Sequence, residues 1–245
     1  LTFPILLFLQ AFGMLVGAGA ATRVSIHLGR KANDMAEKVL GNAFTLTFII
    51  TLVTVLPCMI WMEDLLQAFG GSEQTIPYAK DYLNIVVPGT ILTSLSFGFN
   101  AIMRASGYPK KAMFTMLIGA IANVVLDPIF IFGLHLDVRG AALATILSQG
   151  ISCIWILRFL TGTHSTLRIR LRNLRPQKKF ILPCLALGLA PFIMQFTESA
   201  LSISFNTSLL KYGGDTAVGA MTILSSVMQF AMLPLQGIGQ GAQPI

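Results

Sequence analysis

The sequence contains little charge for its length. Only 11% of its 245 residues are Asp, Glu, Lys or Arg, whereas an average soluble domain carries about 25%. There are also only two tryptophans and three cysteines. A chain with so few polar residues cannot cover the surface of an ordinary soluble globule, and it is too apolar to be disordered. The composition therefore excludes the soluble classes and points to a membrane protein.

The sequence also lacks the motifs of several functional classes. Cys58, Cys153 and Cys184 lie in apolar stretches without Cys-x-x-Cys spacing, which predicts buried, reduced thiols. The three histidines are scattered and show no metal-ligand spacing. No G-x-x-x-x-G-K-[ST] pattern occurs, so ATP-driven pumping is not expected. We therefore expect no enzyme active site and no cofactor.

The sequence instead contains long hydrophobic segments. Hydrophobic residues make up 54% of the chain, and the mean hydropathy is +0.74. A helix of about 20 residues crosses the hydrocarbon layer, whereas barrel strands alternate over about 10. We therefore predict an all-α polytopic bundle. The predicted spans are residues 1–22, 39–61, 82–103, 112–134, 138–160, 181–209 and 216–243.

Basic residues are distributed unevenly between the predicted loops. Fourteen of the 17 Lys and Arg residues fall in 23–38, 104–111 and 158–179. The alternate loops hold only Lys80, Arg139 and Lys211. Strict alternation is the pattern of the positive-inside rule. It supports the span count, and it predicts an integral protein of the plasma (inner) membrane with its basic loops in the cytoplasm.

The most basic stretch, residues 168–175, lies in the longest predicted loop. Its simplest interpretation is a cytoplasmic linker facing anionic lipid headgroups. It has no aromatic residues of the kind that stack on nucleic-acid bases, so no nucleic-acid partner is expected. The linker divides the chain into residues 1–160 with five spans, the linker at 161–180, and residues 181–245 with two spans.

An acidic residue, Asp127, lies deep in a predicted span, and Pro128 follows it directly. Asn123 precedes Asp127 by four residues, so both side chains share one helix face. Pro128 has no N–H, which leaves the Val124 carbonyl free and marks a hinge. These oxygen donors suit Na⁺ or a proton relay, because a carboxylate at this depth is costly unless water or a cation reaches it. The alternative is a structural Asp at the end of a kinked helix.

Further polar side chains lie on neighbouring spans. Thr145 is placed to add an oxygen to the Asp127 site, although helix packing is the simpler role on sequence alone. A polar face on the sixth span also carries the other deep acid of the chain. Such a face indicates either a wet cavity for substrate or hydrogen bonding between helices. The cavity candidates are Gln195, Glu198, Ser202 and Asn206 on that span, together with Asn100 on the third.

Several motifs together resemble the multidrug and toxic compound extrusion (MATE) family of antiporters. Their order and spacing, rather than any single piece, carry the resemblance. The motifs are Gly17-Ala18-Gly19, Ala36-Glu37-Lys38-Val39-Leu40-Gly41-Asn42, Arg104-Ala105-Ser106-Gly107-Tyr108-Pro109, Asn123 to Gly133, Gly140 to Thr145, and Gly239-Gln240-Gly241-Ala242-Gln243-Pro244-Ile245.

The resemblance implies twelve helices in two lobes around a central cavity, of which this chain holds helices two to eight. It makes residues 1–160 the N-lobe without its first helix, and 181–245 the start of the C-lobe. It places the N-lobe cation site at Asn123, Asp127 and Thr145, together with an Asp on the missing first helix. A Glu that serves the second lobe in some members matches Glu198.

The function expected from the resemblance is efflux by H⁺- or Na⁺-coupled antiport. The implied partners are the lipid bilayer and a small-molecule substrate, specifically an organic cation, and the expected state is a monomer. Two alternatives remain open at this point. A lipid-linked precursor flippase would have a more cationic cavity, and a non-transporting scaffold would have its acids buried without a connected cavity.

Overall fold

The computed structural model describes residues 2–68, 75–162 and 165–242. Within these ranges the protein is helical and contains no strand. The first six helices are α1 Phe3–Gly29, α2 Asn33–Ile60, α3 Met62–Ala68, α4 Ile76–Ala105, α5 Pro109–Pro128 and α6 Asp137–Thr161. The last helical run, Lys178–Ala242, is broken at Gly214, where φ is 65°. Its two arms are α7, Lys178–Gly214, and α8, Thr216–Gly239.

Seven of these helices are long and apolar enough to cross a membrane, and each corresponds to one predicted span. The prediction of a seven-span bundle is therefore confirmed. The first six predicted spans are shorter than their helices, whereas the last, 216–243, is longer than Thr216–Gly239. The first predicted span stops at residue 22, whereas α1 continues to Gly29. Hydropathy identifies only the part of the helix that lies in the hydrocarbon layer. The helix itself continues until the backbone leaves the helical conformation. That change comes at Lys31, whose φ is 56°.

The two ends of the bundle differ in charge. The short turns after α1 and α4 lie at one end, together with the segment between α6 and α7. We call this the basic end. At the opposite, acidic end, Glu63 of α3 pairs with Lys80 of α4. Asp81 of α4 also accepts a 2.9 Å hydrogen bond from Arg139 of α6.

Two clusters of buried apolar side chains hold the bundle together. The larger cluster joins α1, α2, α4, α6 and the start of α7 towards the basic end. It includes Val24, Leu40, Phe99, Ile156 and Cys184. The smaller cluster joins α1, α2, α3 and α4 towards the acidic end. In contrast, no residue in the most apolar stretch of α8 is buried inside the protein, whereas 61% of the residues in the corresponding stretch of α4 are.

Glycines bring α1 very close to its neighbours. A Cβ added at Gly17 would lie 2.5 Å from the Gly98 Cα, so α1 and α4 pack backbone against backbone. On another face, a Cβ at Gly19 would overlap the Cys184 carbonyl, and one at Gly188 would overlap the Leu15 carbonyl. Close approach of this kind is typical of membrane helices, where small residues allow tight packing.

Helices α1 and α7 pack antiparallel, from Gly19 beside Cys184 to Phe8 beside Phe196. Towards the acidic end, the two helices contact each other through phenyl rings instead of glycines. Phe12 and Phe192 have ring centroids 5.1 Å apart, and Phe8 and Phe196 have theirs 5.9 Å apart. We call this combined interface, from the glycine contacts to the rings, the α1–α7 seam.

Candidate functional site

The regular helix α5 ends where the sequence predicts a hinge. Residues Ile129–Gly133 after Pro128 form a π-helical turn, in which the Leu134 N–H donates to the Ile129 carbonyl at 3.0 Å. Single π-turns are rare and often occur at functional sites. A Cβ at Gly140 would lie 2.8 Å from the Phe130 carbonyl, so the start of α6 packs tightly on this turn. The Asp127 end of α5 is therefore fixed against α6.

Asn123 and Asp127 lie on the inward face of α5. Both are partly buried, whereas Val124 and Val125 are 70% and 53% exposed. This is the orientation that the four-residue spacing predicts. The carboxyl and amide groups therefore face the protein, while the valines on the same helical turn face outwards.

Tyr82 of α4 connects the other members of this group. It borders the same cavity as Thr145, and its hydroxyl interacts electrostatically with Asp127. The Thr145 hydroxyl also donates to the Ala141 carbonyl at 2.9 Å. Three helices thus converge, with a tyrosine from α4, a carboxylate from α5 and a threonine from α6.

Sequence reasoning missed Tyr82, although a signal was present. Tyr82 lies eleven residues before Thr93, which is close to three helical turns, so it shares a face with the polar residues Thr93, Ser96 and Asn100. A tyrosine near the end of a span is usually read as an interfacial anchor, which hides such a role.

Two cavities adjoin this group of side chains. The first, about 320 Å³, lies between α4, α5 and α6 and is bordered by Asn123 and Thr145. The second, about 270 Å³, lies between α1, α4 and α6 and is bordered by Tyr82 and Thr145. Phe97 and Gln149 also border both cavities. Since one liquid water occupies about 30 Å³, the first cavity has room for several waters.

The polar residues that line the two cavities are uncharged. In the first cavity, hydroxyl groups also tie the helices together. The Ser152 hydroxyl donates to the Thr115 carbonyl at 3.3 Å, and the Ser96 hydroxyl to the Gln149 carbonyl at 3.4 Å. The walls are therefore held in place by bonds between α4, α5 and α6.

Asn100, a predicted cavity residue, borders the first cavity and is only 3% exposed. Its amide nitrogen donates to the Ala112 carbonyl at 2.8 Å, and its amide oxygen accepts from Arg104 at 2.8 Å. Both ends of the side chain thus have protein partners, and the bond to Ala112 joins α4 to α5. Contact between Asn100 and a substrate stays a prediction.

The predicted polar face of α7 lies apart from the Asp127 group. Gln195 donates to the Glu198 carboxylate at 3.2 Å, and Glu198 itself is exposed. Ser202 and Asn206 are partly buried on the same helix. Neither of the two cavities is bordered by these four residues. Their role in substrate binding therefore stays a prediction.

The described residues contain no group of three or more His, Cys, Asp or Glu side chains suited to a metal. The candidate cation ligands are the Asp127 carboxylate, the Asn123 amide oxygen and the Thr145 hydroxyl. This donor set is hard and carries one negative charge, which fits Na⁺ or a proton rather than a transition metal.

Comparison with known proteins agrees with this architecture. The family model MatE matches residues 1–129. The chain belongs to the MatE family. A MatE-type relative, the multidrug export protein MepA of Staphylococcus haemolyticus, is 30% identical over all 245 residues. The chain spans about half the length of the curated relatives it matches, namely 54% of this MepA.

Solved structures of MatE-type transporters share the fold. The MATE multidrug transporter DinF-BH in complex with rhodamine 6G is 33% identical and superimposes with a TM-score of 0.93, over 99% of this chain and 55% of that one. A MATE transporter in an inward-facing conformation, 24% identical, gives a TM-score of 0.89 over 96% of this chain and 54% of that one. The expected family and its all-helical membrane fold are therefore confirmed. The relatives are named as transporters, not enzymes.

Proposed function

We propose that this chain is part of a secondary efflux transporter that exports organic cations in exchange for H⁺ or Na⁺. The observation that carries the proposal is the convergence of Tyr82, Asp127 and Thr145 from three helices, beside cavities that both polar and apolar side chains line. An acid in a membrane span costs about 2.5–3.5 kcal/mol on the insertion scale, so it needs a compensating partner. A cation at Asp127 supplies one.

Cation binding at this site acts by shifting a conformational equilibrium. A ligand moves such an equilibrium only by its difference in affinity for the two states. The Asp127 carboxylate, the Asn123 amide oxygen and the Thr145 hydroxyl provide that difference if their spacing changes with the bend after Pro128. The π-turn at Ile129–Gly133, directly after α5, is the element that absorbs the bend.

The substrate proposal rests on similarity and on charge. DinF-BH, a relative at 33% identity, has been solved with rhodamine 6G bound, and MepA is named as a multidrug export protein. The lining of both cavities contains no Lys or Arg, which disfavours the flippase alternative, since anionic lipid precursors require positive charge. The scaffold alternative predicts acids buried without a connected cavity. Asp127 itself borders neither cavity, but its proposed co-ligands do: Asn123 borders the first and Thr145 borders both.

The proposed orientation places the basic end in the cytoplasm of a plasma (inner) membrane, because the basic loops follow the positive-inside rule. In this orientation the turns after α1 and α4 are cytoplasmic, and α3 lies on the outer side. We further propose that the protein works as a monomer, with residues 1–160 in one lobe and 181–245 beginning the other.

The decisive experiment replaces Asp127 with Asn in the full-length parent protein. Asp127→Asn removes the negative charge at nearly constant volume, so we expect coupled drug efflux to fall at least tenfold and its dependence on pH or Na⁺ to disappear. Efflux is measured in vesicles with an imposed cation gradient. Asp64→Asn in α3 is the matched control, because it makes the same change at an exposed position away from the cavities. Unchanged gradient-driven efflux in Asp127→Asn would refute the coupling role.

A further inference from the structure

The segment between α6 and α7 packs against the bundle and is hydrogen-bonded to α2. We call residues 165–177 the strap. It contains a short 3₁₀ turn, Leu171–Leu174, and it lies along α2 from Glu37 to Thr45. The residues of α2 that hold it fall in or just after the sequence motif of residues 36–42, which the cation site leaves unexplained.

Glu37 of α2 makes the charged contact with the strap. Its side chain is only 10% exposed, and one carboxylate oxygen accepts from the Arg170 Nε at 3.0 Å. The other oxygen accepts from the Arg168 backbone N–H at 3.3 Å. A carboxylate buried to this extent is costly without partners. Both of these partners belong to the strap, so release of the strap would remove them.

Asn42, one turn further along α2, holds the end of the strap. Its side-chain oxygen accepts from the Gln177 backbone N–H at 2.7 Å, and its nitrogen donates to the Asn173 carbonyl at 3.4 Å. The Thr45 hydroxyl donates to the Leu174 carbonyl at 2.6 Å. Polar groups of the strap backbone that would otherwise face water are thus bonded to α2 at several points.

The space between α2 and the strap is closely filled. A Cβ added at Gly41 would lie 2.5 Å from the Asn173 carbonyl oxygen, so the strap touches the α2 backbone directly. At the other end of the strap, Leu167 is completely buried in the larger apolar cluster. The Ile169 N–H also donates to the carbonyl of Leu160 in α6 at 3.0 Å.

We infer that Glu37 and Asn42 form a docking site that makes the strap a fixed part of the α1–α6 bundle. The fixed bundle therefore extends to Gln177, and any movement of α7 relative to it starts beyond that residue. In the transport cycle, which rests on the function proposed above, the connection between the lobes is then a short hinge rather than a flexible linker of about 20 residues.

The docking itself is tested by backbone exchange and by proteolysis of the full chain in detergent. Hydrogen exchange should show protected amides at Arg168, Ile169 and Gln177, because each donates to a defined acceptor. Trypsin should cut after Arg168, Arg170 and Arg172 at least tenfold more slowly than after Lys31, which lies exposed in a turn at the same end. Free exchange at those amides, or cleavage as fast as at Lys31, would overturn the inference.

Variants then test whether Glu37 and Asn42 are responsible. Glu37→Gln should speed cleavage of the strap at least tenfold relative to Lys31, and Asn42→Ala should speed it as well. Asp34→Asn is the matched control, since it removes an exposed carboxylate one turn earlier on α2 and should leave the ratio unchanged. If Glu37→Gln does not fold, Arg170→Lys changes the exposed partner and should raise cleavage at Arg168 and Arg172. Equal cleavage in all variants would show that α2 does not hold the strap.

A final measurement separates this inference from the proposed function. In the full-length parent, strap cleavage is followed with and without a cation gradient and rhodamine 6G. A fixed strap keeps the same protection in both conditions while the dye is exported. A rise in cleavage during export would show that the strap releases in the cycle and would overturn the inference. Constant protection without any export would instead count against the proposed function.

Discussion

At the scale of single residues, the candidate cation site is arranged by contacts within the protein. Tyr82 and Thr145 border one cavity next to Asp127, and a hydrogen bond ties the Thr145 hydroxyl to the Ala141 carbonyl of its own helix. Side chains held in this way lose less freedom when an ion binds than free ones would. The Tyr82 hydroxyl adds a neutral polar group beside Thr145 and Asp127.

Removing that hydroxyl should weaken cation binding without abolishing it. The Tyr82 hydroxyl can offer the site one neutral hydrogen bond, which contributes about 0.5–1.5 kcal/mol, so we expect Tyr82→Phe to raise the cation concentration for half-maximal efflux by roughly 2–10-fold. Tyr78→Phe is the control, because Tyr78 is on the same helix but 67% exposed. The measurement is efflux against cation concentration in the full-length parent. Identical curves for the two variants would exclude Tyr82 from the site.

At the scale of helices, the α1–α7 seam depends on the absence of side chains. Because a Cβ at Gly188 would overlap the Leu15 carbonyl, even the smallest substitution must push the helices apart. Forced overpacking typically costs about 1–3 kcal/mol. We therefore expect substitutions at the phenylalanines of the seam to destabilise the protein less than substitutions at its glycines.

Gly188→Ala should lower the melting temperature of the full chain in detergent by several degrees, about 2–4 °C per kcal/mol for a chain of this size. Gly219→Ala in α8 is the matched control, since nothing lies within 4 Å of a Cβ there and alanine favours the helix. We expect the control to melt at the same temperature or slightly higher. Equal destabilisation by both substitutions would argue against the tight seam.

A charged contact links α3 to α4 at the acidic end. A hydrogen bond from Lys80 and its positive charge lower the pKa of the Glu63 carboxyl below its ordinary value of 4.5. The stabilising effect of a carboxyl with a lowered pKa is present above its ordinary pKa and is lost as the pH falls through the lowered value. Titration of Glu63 by carbon NMR should show the lowered pKa, and Lys80→Gln should return it towards the ordinary value. Lys211→Gln should leave it unchanged.

At the scale of the whole molecule, local sequence patterns predicted the spans but not the contacts between distant segments. Long apolar runs predicted seven helices, and the four-residue spacing of Asn123 and Asp127 predicted their shared face. Docking of the strap depends on pairs such as Glu37 with Arg168, which are 131 residues apart in sequence. Helical periodicity carries no information about such pairs, and a linker rich in arginine looks the same whether it is docked or solvated.

The uneven spacing along the α1–α7 seam also has a mechanical consequence. Backbones touch at Gly19 and Gly188, while whole phenyl rings separate the same helices at Phe8 and Phe196. The glycine contacts therefore act as a pivot, and the rings lie on a lever arm of roughly 10–15 Å at about 1.5 Å per residue. Tilting α7 by about 10° around that pivot displaces Phe196 by roughly 2 Å. This displacement is enough to separate the Phe8 and Phe196 rings while the contact between Gly188 and α1 stays in place.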